Sequence, residues 1–244
     1  MLQTSTLCTN HPGLRRWRRV AAAGLFTLAV TISSSACASE SSPSDPGPVV
    51  GEGLSALPTE TPQDIVTYGD HVALATVVSE VEQPKSDRDA RVGEGLIGRK
   101  VTLRFEGVEW SRLSAKPLPE SVEFQTTGWV FKGDTKREFR MADEPRLTVG
   151  HRYLVSMIFN NDQIVPAQGW IPQGGTTTYE LQADRITTLP ETSSVELSKF
   201  VGGKTPQAVG DLLAVTAPDP AALPFMNQGP IERYRSVDRA KNGG

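Results

Sequence analysis

The stretch Val101–Trp110 constrains the fold more than any other part of the chain. Val101, Leu103 and Phe105 fall on one face of an extended segment, and Thr102, Arg104 and Glu106 on the other. After Gly107 the apolar phase flips to Val108 and Trp110. One extra residue in a strand produces such a flip, so the pattern predicts a strand with a β-bulge at the Glu106–Gly107 step. A bulge bends a long strand, as the closing of a small barrel requires.

Similar runs recur at His71–Val81, Ser121–Thr126, Trp129–Lys132, Arg152–Asn160 and Thr177–Ile186, with a turn signal at Asn160-Asn161-Asp162. Between the first two strands, Glu82–Gly98 is polar and Gly-rich and reads as a mobile loop. Gly and Pro make up 22 and 18 of the 244 residues, which favours short strands over a helical bundle. Five or six strands at this spacing predict a mainly β fold, a small antiparallel barrel or sandwich. Helical signals lie at its ends. Thr61-Pro62-Gln63-Asp64 is a capped helix start, and Thr205-Pro206 opens a helix bearing Val209, Leu212 and Leu213 that Pro218 stops. A second short helix is expected over Pro230–Val237, followed by a disordered KNGG tail.

The N-terminus carries an address. Residues 1–36 hold Arg15, Arg16, Arg18 and Arg19 and no acid, so the net charge of -3 for the whole chain becomes -7 for the remainder. The arginines lead into Val20–Ile32, thirteen uncharged residues. As a helix these span roughly 20 Å, against the roughly 30 Å core of a bilayer, which fits a secretory signal peptide rather than a permanent span. Ser34-Ser35-Ala36-Cys37 resembles the lipobox of bacterial lipoproteins, with Ser34 where that family usually has an aliphatic residue. The resemblance implies cleavage between Ala36 and Cys37, with the Cys37 sulfur carrying diacylglycerol, and so a lipid anchor on the extracytoplasmic face of the cell membrane. The alternative is an ordinary secretory cut nearby, leaving Cys37 as a free thiol. Export through the general or the twin-arginine route stays open, since Arg15-Arg16 and Arg18-Arg19 both offer a pair. Residues 37–60 are dense in Ser, Pro, Gly and acids and read as a disordered tether. The organisation is therefore signal peptide 1–36, tether 37–60, β domain 61–190 and helical cap with tail 191–244.

Asp64–Tyr179 resembles a bacterial relative of the netrin/TIMP-like OB-fold barrel, through DIVTYGDHVALATVVSEV, GRKVTLRFEGVEW and LTVGHRYLVSMIF. The whole chain is similar to uncharacterised secreted lipoproteins of actinobacteria. The resemblance implies an OB-like barrel with short C-terminal helices. It departs from the eukaryotic members, which carry disulfides. Inhibitors in that group dock a free N-terminal cysteine beside the barrel, whereas an acylated Cys37 stands about twenty tether residues away. An inhibitor-like module is therefore the weakest of the functional readings.

Catalytic signals are sparse. Beyond the leader only His71 and His151 remain, with no H-E-x-x-H spacing, so no metal and no cofactor are expected. There is no G-x-S-x-G; Ser111 and Ser114 read as part of a polar loop. Glu106/Glu109 and Asp143/Glu144 are carboxylate pairs of a kind that 28 acids produce by chance. Gly51–Gly53 and Gly93–Gly98 do not sit between a strand and a helix, so a phosphate cradle is not supported. Lys136, Arg137 and Arg140 alternate with Asp134 and Glu138 and read as a solvated loop or hairpin tip, with an anion-binding patch as the alternative. Trp110, Trp129 and Trp170 are candidates for stacking on a sugar, or for closing the core. The acidic balance disfavours nucleic acid. The sequence thus points to a non-enzymatic, lipid-anchored binding module with an envelope protein or glycan as partner. An envelope hydrolase acting on glycan or peptide is the alternative.

Overall fold

A computed structural model describes residues 47–53, 55–142, 144–162, 167–188 and 196–243. The leader and the cleavage pair Ala36 and Cys37 lie outside the described residues. Among those described, no helix is long and apolar enough to cross a membrane.

The chain is mainly β. Its strands are β1 (Val49–Gly51), β2 (His71–Glu82), β3 (Glu94–Ser111), β4 (Ser121–Lys132), β5 (Thr135–Met141), β6 (Arg152–Asn160), β7 (Gly169–Pro172), β8 (Thr178–Gln182) and β9 (Arg185–Thr187). They form one sheet in the order β1-β5-β4-β3-β2-β6-β8-β9, with β7 also on β6. All pairings are antiparallel except β1 with β5. The sheet curls into an open half-barrel rather than a closed one.

The bulge falls where the phase flip places it. Leu74 pairs with Gly107 and Ala75 with Phe105, so Glu106 is the extra residue. A second slip follows at Glu109, between the Ala73–Val108 and Val72–Trp110 pairs. The two runs expected at Ser121–Thr126 and Trp129–Lys132 are one strand, interrupted where Ile97 pairs with Trp129 and Gly98 with Thr127, leaving Gly128 as the extra residue. A Cβ on Gly128 would stand 3.0 Å from the Ile97 carbonyl oxygen, so glycine permits this close approach.

Several sequence expectations are corrected, and Ser111 ends strand β3 rather than lying in a polar loop. Glu82–Gly98 is no mobile loop: Ser86 caps a helix, α2 (Asp87–Val92), which ends at Gly93 with φ 82°, and β3 starts one residue later. The basic cluster is tip only at Gly133–Asp134; Lys136, Arg137 and Arg140 lie on strand β5 that follows it. Thr177–Ile186 is a hairpin of β8 and β9, because Ala183 and Asp184 both take positive φ. The tail does not fray at Lys241, since the last helix runs to Asn242 and Lys241 pairs with Asp219.

The remaining helices are α1 (Pro62–Tyr68), α3 (Glu196–Val201), α4 (Pro206–Val215) and α5 (Pro230–Asn242), with a 3-10 turn at Pro220–Phe225. Helix α1 starts as its sequence predicts. Thr61 Oγ1 accepts from the Asp64 amide at 3.1 Å, and the Thr61 amide donates to Asp64 Oδ2 at 2.9 Å. Strands β2 and β6 bury residues on both faces, which is why neither shows clean alternation. On one side Val72 and Leu154 join Ile65, Leu197, Val209 and Leu213 of the helices. On the other, Ala75, Val77, Tyr153, Val155 and Met157 meet Val101, Leu103 and Phe124. Helix α4 comes so close to β3 that a Cβ on Gly210 would lie 2.4 Å from the Glu109 carbonyl oxygen.

The segment expected to be a tether up to residue 60 is in part a strap. Its apolar residues decide this, because Val49 pairs with Phe139 of β5 and Leu57 is buried with Tyr68, Ile158 and Ile231. Between them the chain passes from the β5 edge to the other end of the sheet. The Gly51 carbonyl accepts from the Ala142 amide at 2.8 Å. At the far side Thr59 Oγ1 accepts from Thr176 Oγ1 at 2.6 Å, and Gln173 Nε2 donates to the Pro58 carbonyl at 3.2 Å.

Candidate functional site

The curl of the sheet leaves a cleft of about 210 Å³ between β3–β5 and the β7–β8 connection. Its apolar wall includes Phe124, Leu147 and Ile171; Thr126, Thr127 and Thr178 supply hydroxyls, and Arg99, Arg140, Arg146 and Glu144 bring charge. Arg99 sits on the inward face of β3 with the parity of Val101 and Leu103, and pairs across the sheet with Thr126. It is only 4% exposed.

A buried guanidinium requires partners, and Arg99 has several. Its Nε donates to the Thr127 carbonyl at 2.9 Å. Its Nη1 donates to Glu80 Oε2 at 2.8 Å and to the Leu147 carbonyl at 2.6 Å. The other oxygen of Glu80 accepts from Arg146 Nη2 at 2.7 Å, so one carboxylate of β2 holds two guanidiniums. Arg146 also lies 3.3 Å from Glu138 and stacks over the Trp129 ring. Burial, and then the neighbouring Arg146 charge, pull the Arg99 pKa below its ordinary value, with Glu80 working against them. Arg99 Nη2 has no hydrogen-bond partner among the described residues.

A second polar constellation lies at the other end of β2. His71 is 6% exposed and both ring nitrogens are engaged. Nε2 stands 2.6 Å from the Lys116 carbonyl, which only accepts, so Nε2 carries the proton. Nδ1 lies 2.8 Å from Ser111 Oγ. The imidazole also packs on Trp170, with ring centroids 5.3 Å apart. A serine hydroxyl beside an imidazole held in place by a backbone carbonyl is the starting arrangement of nucleophilic catalysis. A wider open depression of about 640 Å³ lies between Asn160–Asp162 and α5, where Arg235 pairs with Asp162.

The three tryptophans are not brought together. Trp110 packs against the helical side of the core and Trp170 against the opposite cluster, touching His71 and Phe159. Trp129 has Lys136 4.7 Å and Arg146 5.1 Å from its ring centroid. His151 does not approach His71 and pairs instead with Glu180 at 2.6 Å. Glu106 accepts from Thr76 and from Arg152, so it is tied into the sheet surface. Glu144 packs on Gly175, and Asp143 lies outside the described residues. No group of three potential metal ligands occurs among the described residues.

Sequence reasoning passed over Arg99, Glu80 and Arg146. An arginine at an inward parity of the best strand was the available signal for the first; its partners are far away in the chain. No protein family, curated protein or solved structure matches this chain.

Proposed function

We propose that this chain is a lipid-anchored extracytoplasmic lipoprotein, attached through Cys37, that acts as a non-enzymatic binding module. Its concave cleft takes up an envelope protein or glycan. The observation that carries the binding role is the cleft itself, whose most buried charge, Arg99, has one nitrogen, Nη2, without a hydrogen-bond partner among the described residues. The anchor rests on the Ser34–Cys37 motif, and the OB-like character on the resemblance and the curled sheet. A photo-cross-linking residue at Thr126, on the cleft wall, is expected to capture an envelope molecule in cells; one at the exposed Lys199 of α3 is not. Equal capture from both positions overturns the role of the cleft. Radiolabelled palmitate is expected in the native chain and not in Cys37→Ala, and equal labelling overturns the anchor.

One observation favours the alternative, an envelope hydrolase acting on peptide or glycan: the Ser111–His71 contact with its carbonyl-fixed imidazole. A fluorophosphonate probe separates the two readings. The binding module leaves Ser111 unlabelled, whereas a hydrolase is labelled there and loses the label in Ser111→Ala.

A further inference from the structure

We propose that the cleft is a carboxylate site, taking a ligand that ends in a carboxylate and carries a short apolar body. The proposal deepens the binding role given above and rests on it.

The electrostatics select the head group. Arg99 and Arg146 share Glu80, and Arg146 has Glu138 beside it, so the two guanidiniums are already close to neutralised. Arg140 and Glu144 add one charge of each sign to the lining, so the site has little to offer a dianion. It still offers directed donors. Arg99 Nη2 is the one nitrogen of that guanidinium not committed to a carbonyl or carboxylate of the described residues, and Thr126 and Thr178 line the same cleft. A planar monoanion can place one oxygen on Arg99 Nη2 and the other on a threonine hydroxyl, and a charge-assisted bond inside a cleft outweighs its solvated counterpart.

The wall selects the rest. Phe124, Leu147 and Ile171 give an apolar surface next to the donors, and a volume of about 210 Å³ admits a side-chain-sized group. The chemistry has two sources, a free short-chain carboxylic acid and the C-terminus of a peptide, and both share the carboxylate on an apolar stem.

The test is an amide and guanidinium NMR titration of the full chain carrying Cys37→Ala, free of detergent. The probes are hexanoate, hexanol, N-acetylleucine and inorganic phosphate. Hexanoate is expected to move the Thr126 and Thr178 amides and the Arg99 Nε–H. Hexanol is expected to bind at least about ten-fold more weakly, the loss of one charge-assisted hydrogen bond. N-acetylleucine binding as well as hexanoate identifies a peptide terminus as an accepted source; hexanoate alone identifies a free acid. Thr126→Trp, which fills the cleft beside Arg99, is expected to abolish all of these shifts. Hexanol matching hexanoate, phosphate displacing it at equal concentration, or shifts that survive Thr126→Trp would each overturn the proposal. If neither carboxylate binds while cross-linking from Thr126 still captures an envelope molecule, the ligand class is wrong and the binding role stands. If hexanoate binds and no cross-link forms, the site is real and the assigned partner is wrong.

Discussion

Asp70→Ala is expected to cost about 3–5 kcal/mol of stability, the range for stripping a buried charge pair of one partner. Asp70 is 2% exposed and closes a network that joins the sheet to the C-terminal helices. Its Oδ1 accepts from Arg112 Nη2 at 2.6 Å and Nε at 3.1 Å, and its Oδ2 from the Phe159 amide at 2.8 Å. Arg112 Nη1 reaches the Met226 carbonyl at 3.3 Å. Arg233 of α5, with no exposed surface, donates to the Thr67 carbonyl and to the Gln228 carbonyl at 2.7 Å. Burial and then Arg112 already pull the Arg233 pKa down to about 10, with Asp70 opposing. Without Asp70, the buried Arg233 and the partly buried Arg112 are left with no carboxylate between them. For a protein with a total of about 5–15 kcal/mol, that loss shows as a large fall in the urea midpoint. Proteolysis is expected first near Met226–Gly229, where the network grips the chain. An unfolding free energy within about 1 kcal/mol of the native chain's contradicts this role for Asp70.

Glu80→Ala is expected to be nearly as damaging, at about 3–5 kcal/mol, because it leaves Arg99 buried without its counter-charge. Glu80 serves two guanidiniums at once, so the change also leaves the cleft with an excess of positive charge. The variant should therefore gain more stability from sulfate than the native chain does at equal ionic strength, since an anion that binds only the folded state stabilises it by mass action. Thermal unfolding in sodium sulfate against sodium chloride reads this directly. Equal gains in both proteins would mean that Glu80 does not neutralise the cleft.

The legible parts of the fold were local and periodic. The bulge at Glu106 was readable because a skipped residue reverses the parity of a well-patterned strand. The caps at Thr61 and Thr205 were readable because a side-chain acceptor followed by proline has few other uses. The hairpin inside Thr177–Ile186 was hidden, since Ala183 and Asp184 are not the residues that usually announce positive φ. The strap was hidden by composition: three apolar residues, Val49, Val50 and Leu57, outweigh a stretch otherwise rich in Gly, Pro and Ser. The sites were less legible than the fold. Ser111 and His71 are forty residues apart and meet only because β2 and β3 pair from end to end. Arg99, Glu80 and Arg146 come from three separate segments, and their meeting depends on how far the sheet curls.

The strap also has a mechanical meaning. Gly51 packs against the Phe139 ring and Gly53 against Met141, and both of those side chains belong to the cleft wall. Only three residues of β1 pair with β5, whereas Leu57 is set into the core behind them. A pull arriving along the chain from its N-terminal side therefore loads β1 first, then the cleft wall, and only afterwards the interior. If the protein is tethered by that end, tension on the tether is felt at the mouth of the cleft before it threatens the fold.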